Sequence, residues 1–258
     1  MILAGRVAVV TGGGTGIGKA ISENLAKNGA RVAITSRNPS HLETTVEELQ
    51  ARGYSLLPIR MDVRIKEEVQ RAVAKIVDSW GTIDILVNSA GRSGLNRIDD
   101  PDENLWRDIL ETNLTGMYLV TKEVLKVMND NSHGRIINMS SVLGKFGVPG
   151  YTAYCASKHG VIGFTRALAL EVVSRGITVN AICAGWVDTE MARLGMREQA
   201  ARQGVTVDEF ERQAIGAVPI KRFIEAEEIA HLVSYLVSDQ AGAITGQALN
   251  ICGGETMS

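Results

Sequence analysis

Several features that mark particular protein classes are scarce in this chain. Only 5% of its 258 residues are aromatic, and its three cysteines, Cys155, Cys183 and Cys252, form no CxxC pair. An odd number of cysteines at these spacings indicates neither a disulfide framework nor a zinc site, and it fits a reducing compartment. No linker rich in proline or serine divides the chain, so we predict a single domain over residues 1–258.

An excess of charge of one sign is also missing. The chain has 27 Lys and Arg against 29 Asp and Glu, so it offers no basic field to nucleic acid or anionic lipid. No apolar run reaches the roughly 20 residues that a membrane span needs, and the first residues do not resemble a signal peptide. We therefore expect a soluble, cytoplasmic protein without nucleic acid or membrane partners.

Metal-binding patterns are lacking as well. The four histidines, His41, His133, His159 and His231, have no carboxylate or cysteine partner at the spacing of metal ligands. We predict no metal site and expect all four at the surface or in helices.

Short apolar runs alternate with amphipathic stretches along the whole chain. This alternation predicts an α/β fold of the doubly wound Rossmann type, a seven-stranded parallel sheet with helices on both faces. The predicted strands are 7–10, 32–35, 56–61, 83–88, 135–139, 178–183 and 248–251. The predicted helices are 17–28, 41–52, 66–80, 103–129, 153–175 and 226–238. Residues 191–219 break this alternation, and we interpret them as a mobile substrate lid.

A glycine-rich turn follows the first strand and opens the first helix. Its glycines allow the main chain to approach a pyrophosphate, which the helix N-terminus would stabilise. The G-x-x-x-x-G-K pattern of a nucleoside triphosphatase is present from Gly13, but the next residue, Ala20, lacks the hydroxyl that holds magnesium. The G-x-G-x-x-G spacing fails because its sixth position is Ile17.

Two further positions carry chemistry. Tyr154 and Lys158 are four residues apart in a helical stretch, so they share a face, and we expect the ammonium group to lower the pKa of the phenol toward working pH. At the end of the second strand, Ser36, Arg37 and Asn38 offer no acid for a ribose 2′-hydroxyl, while Arg37 suits a 2′-phosphate. This favours NADP(H) over NAD(H).

Together these motifs resemble the short-chain dehydrogenase/reductase family in its compact form, from Arg6 to Gly254. The closest overall likeness is to 3-oxoacyl-(acyl-carrier-protein) reductases and related carbonyl reductases. The matching segments are 11–18, 62–63, 88–91, 113, 140–141, 154–158, 184–185 and 189. The resemblance implies a homotetramer that pairs through the helices predicted at 103–129 and 153–175.

The resemblance also implies residue roles in hydride transfer between a nicotinamide and a ketone or secondary alcohol. Tyr154 is the general acid or base, Ser141 binds the substrate oxygen, Lys158 also binds the nicotinamide ribose, and Asn113 holds a proton-relaying water. Candidate cofactor contacts are Gly12, Gly14, Thr15, Gly16, Ile17, Gly18, Ser36, Arg37, Asn38, Asp62, Val63, Asn88, Ala90, Gly91, Tyr154, Lys158, Gly185, Val187 and Thr189. Candidate substrate contacts are Ser141, Leu143, Tyr151, Trp186, Met191 and Leu194.

Three alternatives stay open at this point. The substrate is a 3-oxoacyl group on a carrier protein or another small ketone, and Arg193, Arg197 and Arg202 either meet an acidic substrate or form a solvated helix face. The second alternative is an NAD-dependent dehydrogenase of a cyclic alcohol, a polyol or a steroid. The third is a noncatalytic dinucleotide-binding sensor, which has no need of Ser141, Tyr154 and Lys158 in register.

Overall fold

Seven parallel strands form one sheet in the computed structural model, which describes residues 1–128 and 133–257. The strands are β1 (Val7–Thr11), β2 (Arg31–Ser36), β3 (Leu56–Arg60), β4 (Ile85–Asn88), β5 (Gly134–Met139), β6 (Ile177–Ala184) and β7 (Ala248–Ile251). Their order across the sheet is β3-β2-β1-β4-β5-β6-β7, which confirms the predicted doubly wound fold. The direction of winding reverses between β1 and β4, and such a reversal opens a crevice at the carboxyl ends of the strands.

Nine α-helices accompany the sheet in the described part of the chain. They are α1 (Gly16–Lys27), α2 (Pro39–Ala51), α3 (Lys66–Trp80), α4 (Asn104–Leu110), α5 (Met117–Val124), α6 (Thr152–Val172), α7 (Glu190–Gln203), α8 (Val207–Ala217) and α9 (Ala226–Leu236). None of these described helices has both the length and the apolar character of a membrane span.

The sheet is buried on both faces because its strands consist almost entirely of apolar residues. Along β1, Ala8 and Val10 face a cluster that includes Ile21 of α1 and Val233 of α9. Val7 and Val9 point to the opposite cluster, which includes Ile76 of α3. Alternate residues of a strand point to opposite faces, so these runs stay dry on both sides.

Two predicted elements differ from the structure. The helix predicted at 103–129 is divided into α4, a π-helical turn at Glu111–Gly116 and α5, while its predicted end at Asn129 lies outside the described residues. The segment 191–219, for which no helix was predicted, contains most of α7 and all of α8. N-caps mark the start of both helices. Thr189 accepts from the Ala192 amide at the start of α7, and Thr206 forms a reciprocal capping box with Glu209 at the start of α8. Mobility of this segment stays a prediction.

The expectation for His133 is wrong. His133 is buried immediately before β5, where its ring nitrogens lie 2.7 Å from an Asp239 carboxylate oxygen and 2.6 Å from the Val237 carbonyl. Burial is the main cause that lowers the pKa of this histidine. The other three histidines are exposed on helices, as predicted.

Candidate active site

Two cavities open where the carboxyl ends of the strands meet. The smaller, of about 200 Å³, is called the cleft here and lies beside the ends of β1, β2 and β3. Its lining is Gly12, Thr15, Thr35, Ser36, Arg37, Asn38, His41, Met61, Asp62, Val63, Ala90, Gly91 and Thr112. The larger, of about 350 Å³, contains Tyr154 and Ser141 and is called the catalytic cavity.

The glycine turn between β1 and α1 borders both cavities, through Gly12 in the cleft and Ile17 in the catalytic cavity. Gly12 and Gly16 have φ of 66° and 48°, a region that favours glycine. A Cβ on Gly12 would lie 2.9 Å from the Ala90 Cα, and one on Gly18 would overlap the Gly12 carbonyl. The turn therefore requires bare main chain at these positions.

The N-terminus of α1 is open to an anion. Its N-cap residue, Thr15, makes no side-chain capping bond, and the first turn of α1 carries no acidic residue. The first N–H groups of a helix have no partner within the helix, and they carry its partial positive charge. These groups can receive a phosphate beside Gly14 and Gly16.

At the end of β2, two side chains shape the loop that holds Arg37 in the lining of the cleft. The Ser36 hydroxyl accepts from the Asn38 amide at 3.1 Å, and Asn38 caps α2 by accepting from Ser40. Asp62 also lines the cleft, but its carboxylate is engaged by Arg64 at 2.6 Å, and this hydrogen bond lowers the pKa of Asp62. The Arg37 guanidinium therefore remains the group in the cleft best suited to a phosphate.

Not every predicted cofactor residue lines a cavity. The Asn88 side chain is buried, and it donates to Thr121 and Asn138 at 2.9 Å, which ties β4 to α5 and β5. Ala90 and Gly91 do line the cleft, and Thr11 Oγ1 accepts from the Ala90 amide at 3.1 Å. Asn88 thus supports the loop and is not in the lining of either cavity.

Helix α6 and the end of β5 bring the predicted catalytic side chains together. Lys158 Nζ lies 5.5 Å from the centre of the Tyr154 ring and donates to the Met139 carbonyl at 2.7 Å. Ser141 follows β5, and its hydroxyl accepts from the Leu143 amide at 3.1 Å. Tyr154 and Ser141 both line the catalytic cavity.

Lys158 was expected to lower the pKa of the Tyr154 phenol, and this lowering is not found in the protein without a bound cofactor. Burial raises the pKa of Tyr154 to about 12, and the hydrogen bond with Ser141 opposes this only in part. Burial also lowers the pKa of Lys158 to about 8. Desolvation disfavours both charged forms, and the ammonium group bonds the Met139 carbonyl. Tyr154 is therefore a neutral phenol at neutral pH.

Asn113 lies in the π-helical turn and links the catalytic helix to the loop after β4. Its Oδ1 accepts from the Arg92 amide at 2.7 Å, and its Nδ2 donates to the Arg92 carbonyl at 2.9 Å and to Ser157 Oγ at 3.0 Å. A Cβ on Gly91 would lie 3.5 Å from Asn113 Oδ1 and 3.8 Å from Lys158 Nζ, so these groups surround one point. The relaying water on Asn113 stays a prediction.

Most of the predicted substrate residues line the catalytic cavity. Its full lining is Ile17, Ser93, Ser140, Ser141, Val142, Leu143, Phe146, Val148, Tyr151, Tyr154, Ala184, Gly185, Trp186, Val187, Thr189, Met191, Ala192, Gly195, Gln199, Arg202, Gln203, Phe210 and Glu255. Leu194 is not in this lining, and its contact with a substrate stays a prediction. Helix α7 turns Met191, Gly195 and Gln199 toward the cavity, whereas Leu194 is 47% exposed outside it.

Several lining residues escaped the sequence analysis. Gln199 continues the helical period that starts at Met191, so recognition of α7 as a helix would have found it. Arg202, left open above as a contact of an acidic substrate, follows the same period and lines the cavity. Glu255 follows the last strand and carries no signal of any motif. Among the arginines of this region, Arg193 pairs with Asp188 at 2.8 Å, and Arg202 donates to the Pro149 carbonyl at 3.2 Å.

Comparison with known proteins identifies relatives along the whole chain. A protein of Streptomyces coelicolor assigned as a ketoacyl reductase is 44% identical over 251 residues, covering 96% of each chain. The 3-oxoacyl-(acyl-carrier-protein) reductase FabG of Escherichia coli is 38% identical over 257 residues, covering 100% of each.

Solved structures agree with these relatives. A tryptophan variant of actinorhodin polyketide ketoreductase, solved with NADPH, has a TM-score of 0.92 and 42% identity, covering 99% of this chain and 98% of that one. Levodione reductase has a TM-score of 0.92 and 30% identity, covering 98% of each chain. The family model described as short chain dehydrogenase matches residues 6–200. The chain therefore belongs to the short-chain dehydrogenase family.

Proposed function

We propose that the chain is an NADP(H)-dependent reductase of ketones, with Tyr154 as its proton donor. The observation that carries this function is that Ser141 and Tyr154 line one cavity beside the glycine turn, with Lys158 Nζ 5.5 Å from the centre of the Tyr154 ring. The NADPH in the related actinorhodin ketoreductase and the ketoacyl reductases among the relatives support the cofactor and the reaction.

The residues present fit a dinucleotide phosphate. Gly12, Gly16 and Gly18 have no side chains that would fill the turn, so a phosphate can approach the main chain there. The N-terminus of α1 has no side-chain cap. Arg37 stands at the cleft, where the phosphate that distinguishes NADPH from NADH is expected. NADPH, when bound, supplies the hydride.

The protein contributes orientation and a proton. The Ser141 hydroxyl is placed to donate to the carbonyl oxygen of a ketone, and Tyr154, a neutral phenol, is placed to give it a proton as negative charge develops. Lys158 adds a positive charge near the same point while the Met139 carbonyl holds its side chain. In the reverse direction the phenolate form of Tyr154, which is the form left after the proton has been given up, accepts the proton of the alcohol.

A substrate panel tests this function. Purified protein is assayed with NADPH and with NADH against cyclic ketones, short acyclic ketones and acetoacetyl thioesters, and consumption of the reduced cofactor is followed. We expect turnover with NADPH to exceed turnover with NADH. A protein that binds NADPH but reduces none of these carbonyl compounds would support the sensor alternative.

Exposed apolar residues on α5 and α6 support an assembly of several copies. We propose a homotetramer, because Leu170 is 81% exposed on α6, next to Val173 at 50%, and Tyr118 on α5 is 42% exposed. Symmetric pairing would cover these apolar groups. Light scattering should give four times the chain mass for the wild type and a smaller mass for Leu170→Lys. The three free cysteines support a cytoplasmic location.

A further inference from the structure

A series of alternating charges runs from the cleft toward the loop that follows β4. Asp62 lines the cleft, and its carboxylate accepts from Arg64 Nε at 3.0 Å and from Arg64 Nη2 at 2.6 Å. The Nη1 atom of Arg64 donates to Asp108 Oδ1, and Arg92 Nη1 donates to Asp108 Oδ2. Asp108, whose side chain is 17% exposed, therefore uses each of its two carboxylate oxygens for a different arginine.

Arg92 lies in the loop after β4, between the linings of the two cavities. The residue before it, Gly91, lines the cleft, and the residue after it, Ser93, lines the catalytic cavity. The main chain of Arg92 is held by the Asn113 side chain, which accepts from its amide at 2.7 Å and donates to its carbonyl at 2.9 Å. The position of Arg92 therefore bears on both cavities and on the side chain of Asn113.

Hydrogen bonds of Asn113 continue this path to the catalytic helix. Its Nδ2 donates to Ser157 Oγ at 3.0 Å, and the Ser157 hydroxyl donates to the Tyr154 carbonyl at 2.8 Å. Asp108 itself lies on α4, shortly before the π-helical turn that carries Asn113, and such turns are frequent at functional sites. Ion pairs and hydrogen bonds thus connect Asp62 in the cleft with the main chain of Tyr154.

We infer that Asp108 is a positioning residue for both the cleft and the catalytic cavity. Its contact with Arg64 orients Asp62 beside the cofactor, and its contact with Arg92 fixes the loop between the cavities. The inference rests on the proposed function and adds a residue that lies in neither lining. A carboxylate suits this task because it accepts from two guanidinium groups in fixed directions, and because Arg64 and Arg92 would repel each other without it.

Breaking the two contacts separately tests this inference. The dissociation constant of NADPH is measured by fluorescence titration, and kcat is measured with a ketone that the wild type reduces. Arg64→Gln should weaken NADPH binding by about two- to fivefold, the scale of a partly exposed ion pair, and should affect kcat less. Arg92→Gln should lower kcat by roughly tenfold, because a small shift of the groups that position the reaction is costly, and should affect NADPH binding less. Asp108→Asn, which removes the shared charge, should change both quantities.

Two further variants separate positioning from a general loss of stability. Asp108→Glu keeps a carboxylate between the arginines and should recover part of each loss. Arg107→Gln breaks the exposed pair of Arg107 with Glu103 on the same helix, a contact of 2.7 Å, and should change neither quantity. The inference is overturned if Asp108→Asn changes neither quantity. It is also overturned if Arg64→Gln and Arg92→Gln each change NADPH binding and kcat in the same proportion, as a purely structural role would.

Failure of the proposed function has a different signature. Hydrogen exchange of the Arg92 amide, which donates to Asn113, can be measured without turnover. If no ketone is reduced, the reductase function fails. The role of Asp108 then stands if Asp108→Asn weakens NADPH binding and speeds exchange of this amide while Arg107→Gln does neither. If either NADPH binding or the exchange rate is unchanged in Asp108→Asn, the role of Asp108 fails as well.

Discussion

The cleft and the catalytic cavity lie at the same edge of the sheet but are built from different parts of the chain. The cleft is formed by main chain of the glycine turn and by short polar residues at the ends of β2 and β3. The catalytic cavity is formed mainly by side chains, several of them large and apolar, from the segments after β5 and β6 and from α7, with single residues from α6, α8 and the segment after β7.

This difference separates two tasks. A phosphate is recognised by main-chain N–H groups and a guanidinium, and such a site requires glycine at positions that allow nothing else. A carbonyl substrate is recognised by shape and by a few polar groups, which many combinations of side chains can provide. Changes in the cleft should therefore affect cofactor binding, and changes in the cavity should affect chemistry and substrate choice.

Replacement of Tyr154 by Phe should distinguish the roles of the two cavities most clearly. We expect kcat to fall by ~10²–10⁴-fold, the usual contribution of a positioned proton donor. The affinity for NADPH should change little, because the cleft is untouched. Steady-state reduction and NADPH fluorescence titration measure the two quantities. Tyr235→Phe, on the exposed side of α9, is the control, and an unchanged kcat in Tyr154→Phe would refute the role of this phenol.

Gly18→Ala should damage the cleft instead. The added Cβ would overlap the Gly12 carbonyl, which is main chain and cannot move aside without distorting the turn. We expect a loss of roughly 1–3 kcal/mol in the free energy of unfolding, as for other overpacked sites, together with weaker NADPH binding. Urea unfolding and fluorescence titration measure both.

Gly216→Ala in α8 is the matched change, because a Cβ there meets no atom within 4 Å. It should leave stability unchanged or raise it by up to about 1 kcal/mol through helix propensity. Equal losses in the two variants would show that the glycine turn has no special requirement.

Ser36→Asp should change the preference between NADPH and NADH and leave the catalytic residues unaffected. A carboxylate at the end of β2 repels a 2′-phosphate and accepts from a ribose hydroxyl. We expect the ratio of kcat/KM for NADPH to that for NADH to fall by about 10–100-fold, the scale of charge-assisted hydrogen bonds. The same change at Ser55, an exposed residue before β3, should leave the ratio unaltered. If Ser36→Asp leaves the NADPH-to-NADH ratio of kcat/KM unchanged, the 2′-phosphate does not bind near residue 36.

The pH profile should report on the catalytic cavity. Tyr154, with a pKa of about 12, stays protonated in the working range, whereas Lys158 loses its proton near its pKa of about 8. For ketone reduction we expect kcat/KM to be level below this pH and to fall by up to about tenfold per pH unit above it, as the positive charge is lost. In Lys158→Arg, which stays charged, the fall should move to higher pH. A wild-type profile that stays level far above the pKa of Lys158 would contradict this role.

The cleft could be predicted from the sequence more completely than the catalytic cavity. Gly12 and Gly16 could be identified because the turn has main-chain geometry that favours glycine, and Arg37 was proposed because no acid stands at the end of β2; their contacts with a cofactor stay predictions. Leu194 was proposed as a substrate contact because the helical period of α7 was not recognised, although Thr189 carries a capping signal for α7, as Thr206 does for α8. The pKa of Tyr154 was misjudged because spacing reveals a neighbouring charge but not the burial that outweighs it.

By itself, the sequence determined the parallel sheet, the glycine turn and the pairing of Tyr154 with Lys158. These depend on local periodicity and on spacing along the chain, which are the same before and after folding. Only the tertiary structure decided that Gln199 and Glu255, which are far apart along the chain, line the same cavity. Burial and hydrogen-bond partners depend on segments distant in sequence, and they exist only after those segments have packed.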